Sequence, residues 1–195
     1  MRSGTASLFS LGAVDRSVQP WARTATWLCL LLPLPSVLWR VLMLSGVDVG
    51  FADAPLFRGS AEAVRYVIGL DLVEIIVGLA CLGLAMRWGE RVPGFVPGAG
   101  GRVIPRWLPT AIGTAGVLTM LAIWASLIVS LATTWLGLRT GWTPDRGMGA
   151  GDRALLLVCY VPFLLWPLAI IAALIGYWRR RTPLDARATS ATRAA

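Results

Sequence analysis

The chain has no histidine and no lysine, and only three of its 195 residues are cysteine. Without histidine there is no imidazole general base, no Ser–His nucleophile pair and no imidazole metal ligand. Cys29, Cys81 and Cys159 lie far apart in apolar runs and form no C-x-x-C, which removes zinc-ribbon and dithiol redox motifs. Buried, inert thiols are the expectation for all three. Acids are scarce as well, ten Asp and Glu against 18 Arg. Asp71-x-x-Glu74 resembles half of a metal or phosphotransfer site, but no second acidic motif completes it. These gaps predict no catalytic residue, no metal and no cofactor.

What fills the chain instead is apolar. It is 56% hydrophobic with a mean hydropathy of +0.69, beyond the range of an ordinary soluble domain. The net charge of +8 and a pI near 10.9 raise nucleic acid as a partner. The arginines, however, sit between and after the apolar runs, where bilayer orientation would place them. The predicted partner is the lipid bilayer, with no nucleic acid.

Four runs are long enough to cross roughly 30 Å of hydrocarbon, which takes about 20 helical residues. They predict an all-α fold, a four-helix transmembrane bundle, with helices near 24–45, 61–88, 107–138 and 153–178. Residues 1–23 precede the bundle, and 179–195 form a polar, basic tail expected to be disordered. Pro33, Pro35, Pro162 and Pro167 should kink the first and fourth helices. Ser60, followed by Glu62, is a predicted N-cap for the second helix, and Asp152 for the fourth. The first run is too long for a signal peptide and no A-x-A-like site follows it closely, so a retained helix is expected.

Orientation follows from arginine. Twelve arginines fall in the N-terminal segment, the second connection and the tail, against five in the first and third connections. The positive-inside rule then places both termini in the cytoplasm (N-in, C-in). Trp21, Trp88, Trp107 and Trp178 fall at the inner interface, Trp135 and Trp142 at the outer one, as an aromatic belt requires.

Within this layout three charged residues lie inside membrane runs: Arg40 in the first, Asp71 and Glu74 in the second. Arg40 and Asp71 each lie about five residues from the outer surface, or about 7 Å deep, and Glu74 roughly 5 Å deeper. Asp71 and Glu74 are i and i+3 and share a face. An unpaired charge at mid-helix costs about 2.5–3.5 kcal/mol on insertion scales, so the three groups should face one another. The count is uneven: either Arg65, about a turn above, supplies a second cation, or one carboxyl keeps its proton, Glu74 being the deeper. A clasp that fixes helix register, a proton or substrate pathway, and a contact for a partner protein all fit this cluster.

Other features concern packing. Ala122, Ser126, Ser130 and Thr134 recur every four residues on the third helix, a spacing that permits close approach of another backbone, or lines a pore with polar groups. Ala169, Ala173 and Gly176 do likewise on the fourth. The second connection, RWGERVPGFVPGAGGRVIPRWLP, is interrupted by Pro93, Pro97, Pro105 and Pro109. In it Trp88 and neighbouring apolar side chains suit the headgroup layer, while Arg102 and other arginines meet anionic lipid. It is either a simple connection or a docking surface for a cytoplasmic partner.

The stretch WGERVPGFVPGAGGRVIP, with Trp88, Glu90, Pro93, Pro97, Arg102 and Pro105, resembles a W-G-E…P…P…G-R…P loop of uncharacterised bacterial multi-pass membrane proteins. There too it joins two hydrophobic helices. The resemblance implies no known activity; the chain as a whole is expected in a bacterial cytoplasmic (inner) membrane. The resulting expectation is a non-enzymatic integral membrane protein, acting as a subunit or accessory component of a membrane assembly or as a self-associating homo-oligomer. A small proton-coupled transporter or channel using Asp71 and Glu74 is the alternative.

Overall fold

The computed structural model describes residues 18–92 and 100–193. The predicted segment 1–23 falls largely outside the described residues, as do Pro93 and Pro97. Seven α-helices are described: α1 Pro20–Leu31, α2 Leu34–Leu44, α3 Ala54–Gly59, α4 Ala61–Leu82, α5 Trp107–Trp135, α6 Ala150–Leu164 and α7 Trp166–Arg193. Among the described residues there is no strand; Arg91 and Val103 form an isolated antiparallel bridge.

Two of the four prolines expected to kink helices stand at breaks, while Pro35 lies in the first turn of α2 and Pro162 inside α6. Pro33 has no N–H to give the Cys29 carbonyl, and α1 stops at Leu31; α2 restarts at Leu34 with the Pro33 carbonyl bonded by Val37 N–H at 3.0 Å and Ser36 Oγ at 2.8 Å. Pro167 likewise has no N–H for the Phe163 carbonyl, and Leu165 separates α6 from α7, its N–H bonded to the Pro162 carbonyl at 3.0 Å. Each pair reads as one interrupted span, Pro20–Leu44 and Ala150–Arg181.

Helix ends differ from the sequence expectations by a few residues, for visible reasons. α4 ends at Leu82, short of residue 88, because Gly83 through Met86 tighten into i→i−3 hydrogen bonds. α5 ends at Trp135, short of 138: Gly137 takes a φ of +70° and Leu138 N–H bonds back to the Thr133 carbonyl at 2.9 Å, a glycine-terminated C-cap. Ser60 Oγ accepts from the Ala63 N–H at 3.3 Å at the start of α4. Gly149, not Asp152, precedes α6; Asp152 lies in its first turn, where the N-terminal dipole favours a carboxylate. α7 continues past Trp178 to Arg193, so a tail expected to be disordered from residue 179 is helical. At its base Arg180 and Arg181 donate to the Leu84 and Ile104 carbonyls.

Three helices are long and apolar enough to cross a membrane: Pro20–Leu44, Trp107–Trp135 and Ala150–Arg181. α4 has the length but carries Glu62, Arg65, Asp71 and Glu74. Length and apolarity alone therefore support three of the four spans the sequence predicts.

The chain divides into two compact units, one of residues 1–30, 78–117 and 168–195, the other of 31–77 and 118–167. The second has a core of Trp39, Met43, Val49, Ala54 and Met148, flanked by Phe51, Phe57 and Tyr160. Trp39 meets Phe51 and Tyr160 edge-on, each at 5.7 Å between ring centroids. Trp142 Nε1 donates to Asp53 at 2.5 Å, tying the 136–149 connection to the start of α3. The first unit buries Cys29, Cys81, Ala169, Ala173 and Tyr177. There a Cβ on Gly78 would lie 3.0 Å from the Cys29 carbonyl oxygen, so glycine lets α4 and α1 touch backbone to backbone.

Candidate functional site

The face that α4 buries is made of Val67, Asp71, Glu74, Gly78 and Cys81, spaced by four, three, four and three. That is the periodicity of a helix seam, and two of its five positions are acids. Asp71 and Glu74 are 6% and 7% exposed, whereas Leu72, Val73 and Ile76 on the outer side are 54%, 58% and 61% exposed. Over Asp71–Ile76 the helix is thus charged inside and apolar outside, the reverse of a helix on a water-soluble core.

The buried charges meet their partner on α2. Ser36, Val37, Arg40 and Met43 recur at helical spacing along its buried face, and Arg40 projects from it, 8% exposed. Arg40 Nε donates to Asp71 Oδ1 and its Nη2 to Glu74 Oε2, both at 2.5 Å. One guanidinium fork thereby serves two carboxylates a helical turn apart, charge-assisted bonds of the strong kind. With all three groups ionised the cluster sums to one negative charge. Tyr160 of α6 lies against the same guanidinium, its ring centroid 5.9 Å from Arg40 Cζ.

The structure brings Arg40, Asp71 and Glu74 together, but Arg65 is exposed and takes no part. It lies on the outer side of α4, off the buried seam, so it supplies no second cation. Tyr160 was not legible as a member, because nothing in a single sequence pairs depths across helices that are far apart in the chain. Among the described residues no three His, Cys, Asp or Glu side chains come together as metal ligands would.

The small-residue stripe on α5 is not covered by this chain along its whole length. Ala122 and Ser126 are exposed, while Ser130 and Thr134 are half-buried, and Thr134 Oγ1 donates to the Ser130 carbonyl at 2.9 Å. Close approaches instead involve other small residues: Gly78 against Cys29 and Leu30, and Gly176 against Ala22. Cys29 and Cys81, remote in sequence, are both buried in the first unit.

The second connection is a short hairpin docked on α7. Ile104 N–H bonds to the Glu90 carbonyl at 2.9 Å, Val92 N–H to the Arg102 carbonyl at 3.0 Å and Gly101 N–H to the Val92 carbonyl at 2.8 Å. Trp88 Nε1 donates to Met86 Sδ at 3.3 Å, and the Glu90 carboxylate pairs with Arg180 at 2.7 Å. Arg102 and Pro105 are exposed. In the third connection Asp145 accepts from Trp135 Nε1 at 3.2 Å and lies 3.5 Å from Arg153. Burial pushes its carboxyl up, but hydrogen bonds from Thr143, Trp135 and its own backbone, with the Arg153 charge, outweigh that and hold it below the ordinary value.

Comparison with known proteins gives no relative: no family model matches, nor does any curated protein or solved structure.

Proposed function

We propose that the chain is a four-span integral membrane protein of the bacterial cytoplasmic membrane, with both termini cytoplasmic. It acts without catalysis, as a subunit or accessory component of a membrane assembly or as a self-associating bundle. The observation that carries the reading is the inverted polarity of α4. A helix that turns Leu72, Val73 and Ile76 outward and Asp71 and Glu74 inward suits hydrocarbon as its surroundings. Arg40 makes this span tolerable by giving both carboxylates a partner inside the protein. The cluster is a clasp that fixes the register of α2 against α4.

The assembly role is supported by α5. Val117 is its one fully buried residue, and Ile112, Leu118, Ile123 and Val129 are all exposed. Ala122 and Ser126, both exposed, add a face on which a second backbone can approach closely.

The uneven charge of the cluster favours a second reading, a small transporter or channel that loads protons on Asp71 or Glu74. Purification from membranes in mild detergent, followed by native mass and identification of bound chains, separates the two. A stoichiometric partner or a homo-oligomer supports the assembly reading. A lone monomer, with proton flux in vesicles that is lost in Glu74→Gln, supports the transporter.

A further inference from the structure

The closest approach of two helices in the first unit carries two of the chain's three sulfhydryls. The face that α1 buries is Ala22, Ala25, Thr26 and Cys29, and α4 brings Gly78 against its end. A Cβ on Gly78 would lie 3.1 Å from Leu30 Cα, so the two Cα atoms are no more than about 4.6 Å apart. Residue numbers run in opposite directions through the contacts: Arg40 meets Asp71 and Glu74, while Cys29 and Leu30 meet Gly78. The first span and α4 are therefore antiparallel. Every Cα–Cβ bond of a helix tilts toward that helix's N-terminus. Cys29 thus leans toward the level of Thr26, and Cys81, three residues past Gly78, leans back toward the level of Cys29. The two thiols converge on one point of the contact, Cys29 0% exposed and Cys81 7%.

Close packing needs only small side chains there, and alanine would serve. Two converging thiols add a chemistry that neither has alone. We propose that Cys29 and Cys81 are a dithiol–disulfide couple that locks α1 to α4 when a lipid-soluble quinone oxidises it. The surroundings select the oxidant, and here the proposal rests on the membrane-protein reading above. Both thiols are buried within apolar helices, which shuts out charged oxidants and keeps ordinary thiolate exchange slow. A quinone dissolved in the bilayer reaches them through Cys81, the more exposed of the two. The Cys81 sulfur adds to the quinone, and the Cys29 sulfur then displaces it. One S–S bond replaces two S–H bonds, and the quinone leaves as quinol with both electrons and both protons. Reduced, α1 and α4 are held at this point by packing. Oxidised, the chain from Cys29 to Cys81 is a closed loop containing α2 and α3, which the unfolded chain must keep as well.

The test uses the full chain in vesicles of phosphatidylethanolamine and phosphatidylglycerol, treated with a short-chain ubiquinone or with glutathione disulfide. The chain is then denatured and labelled with a maleimide for intact mass and peptide mapping. After quinone the mass should fall by two hydrogens, and the denatured chain should take one maleimide, at Cys159, instead of three. The map should join Cys29 to Cys81. The unfolding temperature should rise on the order of 10 °C and return on reduction. Cys81→Ser should take two maleimides and show no rise; if it fails to fold, the map of the wild type decides alone. Three maleimides after quinone, a link through Cys159, or a link between two chains would overturn the couple. Equal oxidation by glutathione disulfide would overturn the lipid-soluble oxidant. Carbonate extraction separates this claim from the one beneath it. Release of the wild type into the soluble fraction refutes the membrane reading and the quinone route with it, whereas retention with all three thiols still free refutes the couple alone.

Discussion

Replacing Arg40 by leucine isolates the central claim. In the folded chain Asp71 and Glu74 are 6% and 7% exposed, so neither regains water when the guanidinium is removed. Both of their 2.5 Å bonds to Arg40 are lost at once. Removing one partner of a buried ion pair costs about 3–5 kcal/mol, because an uncompensated charge stays behind. At roughly 2–4 °C per kcal/mol for a chain of this size, the unfolding temperature should fall on the order of 10 °C. The triple change Arg40→Leu, Asp71→Leu and Glu74→Leu removes all three charges and leaves apolar groups of similar bulk. Buried ion pairs replaced in this way are commonly neutral or stabilising by about 1–4 kcal/mol, so the triple variant should unfold well above the single one. Thermal unfolding in one detergent, followed by tryptophan fluorescence, measures all the variants on one scale. A single variant within about 1 kcal/mol of wild type, or a triple variant as unstable as the single, would refute the clasp.

Three further outcomes follow from other parts of the molecule. Cysteine reporters at Asp53 and Thr140 should be labelled from the side opposite to one at Arg193; labelling of all three from the same side would sink the four-span topology. Gly78→Leu should drive α4 away from the Cys29 and Leu30 backbone and cost about 1–3 kcal/mol of stability, as overpacking does, whereas Gly69→Leu, with open space around it, should cost far less. Asp145 has a folded carboxyl held below its ordinary value of 3.8, so the unfolded chain binds the proton first as pH falls. Its contribution is present above that ordinary value and is lost as pH drops through the lower folded one, and Asp145→Asn should remove this part of the pH dependence of unfolding.

The architecture was legible wherever a local rule decides it. Pro33 and Pro167 lack an N–H and stand where helices break, and Ser60 is an N-cap by its own chemistry. The meeting of Arg40 with Asp71 and Glu74 was derivable because charges inside a membrane run must find each other, and the helix spacing left them one shared face. Other non-local contacts were not legible. Tyr160 against Arg40, Cys29 against Cys81, and Trp142 on Asp53 join residues whose separation in the chain carries no register information. The small stripe of α5 shows the opposite limit, since spacing identifies a face fit for packing but not whether the same chain covers it.

The burial of Arg40, Asp71 and Glu74 bears on the choice between the two proposed functions. A transporter that moves protons through Asp71 and Glu74 needs a water path to them, and an Arg40 that releases them during the cycle. In the folded chain both acids are bonded to one guanidinium that is itself only 8% exposed, with the Tyr160 ring against it. Release would strand three charges in the same apolar surroundings, at a cost that insertion scales put near 2.5–3.5 kcal/mol for each. On the proposed reading Arg40, Asp71 and Glu74 hold α2 to α4. The exposed side chains of α5 from Ile112 to Val129, Leu118, Ile123 and Leu127 among them, form an apolar face. Lipid can cover that face, but so can another helix, and Ala122 and Ser126 give such a helix its closest approach. Larger residues at those two positions, Ala122→Leu with Ser126→Leu, should leave unfolding of the single chain within about 0.5 kcal/mol, since both are exposed in it. They should at the same time abolish any oligomer or partner complex seen by native mass. An assembly that survives both leucines would place its interface elsewhere.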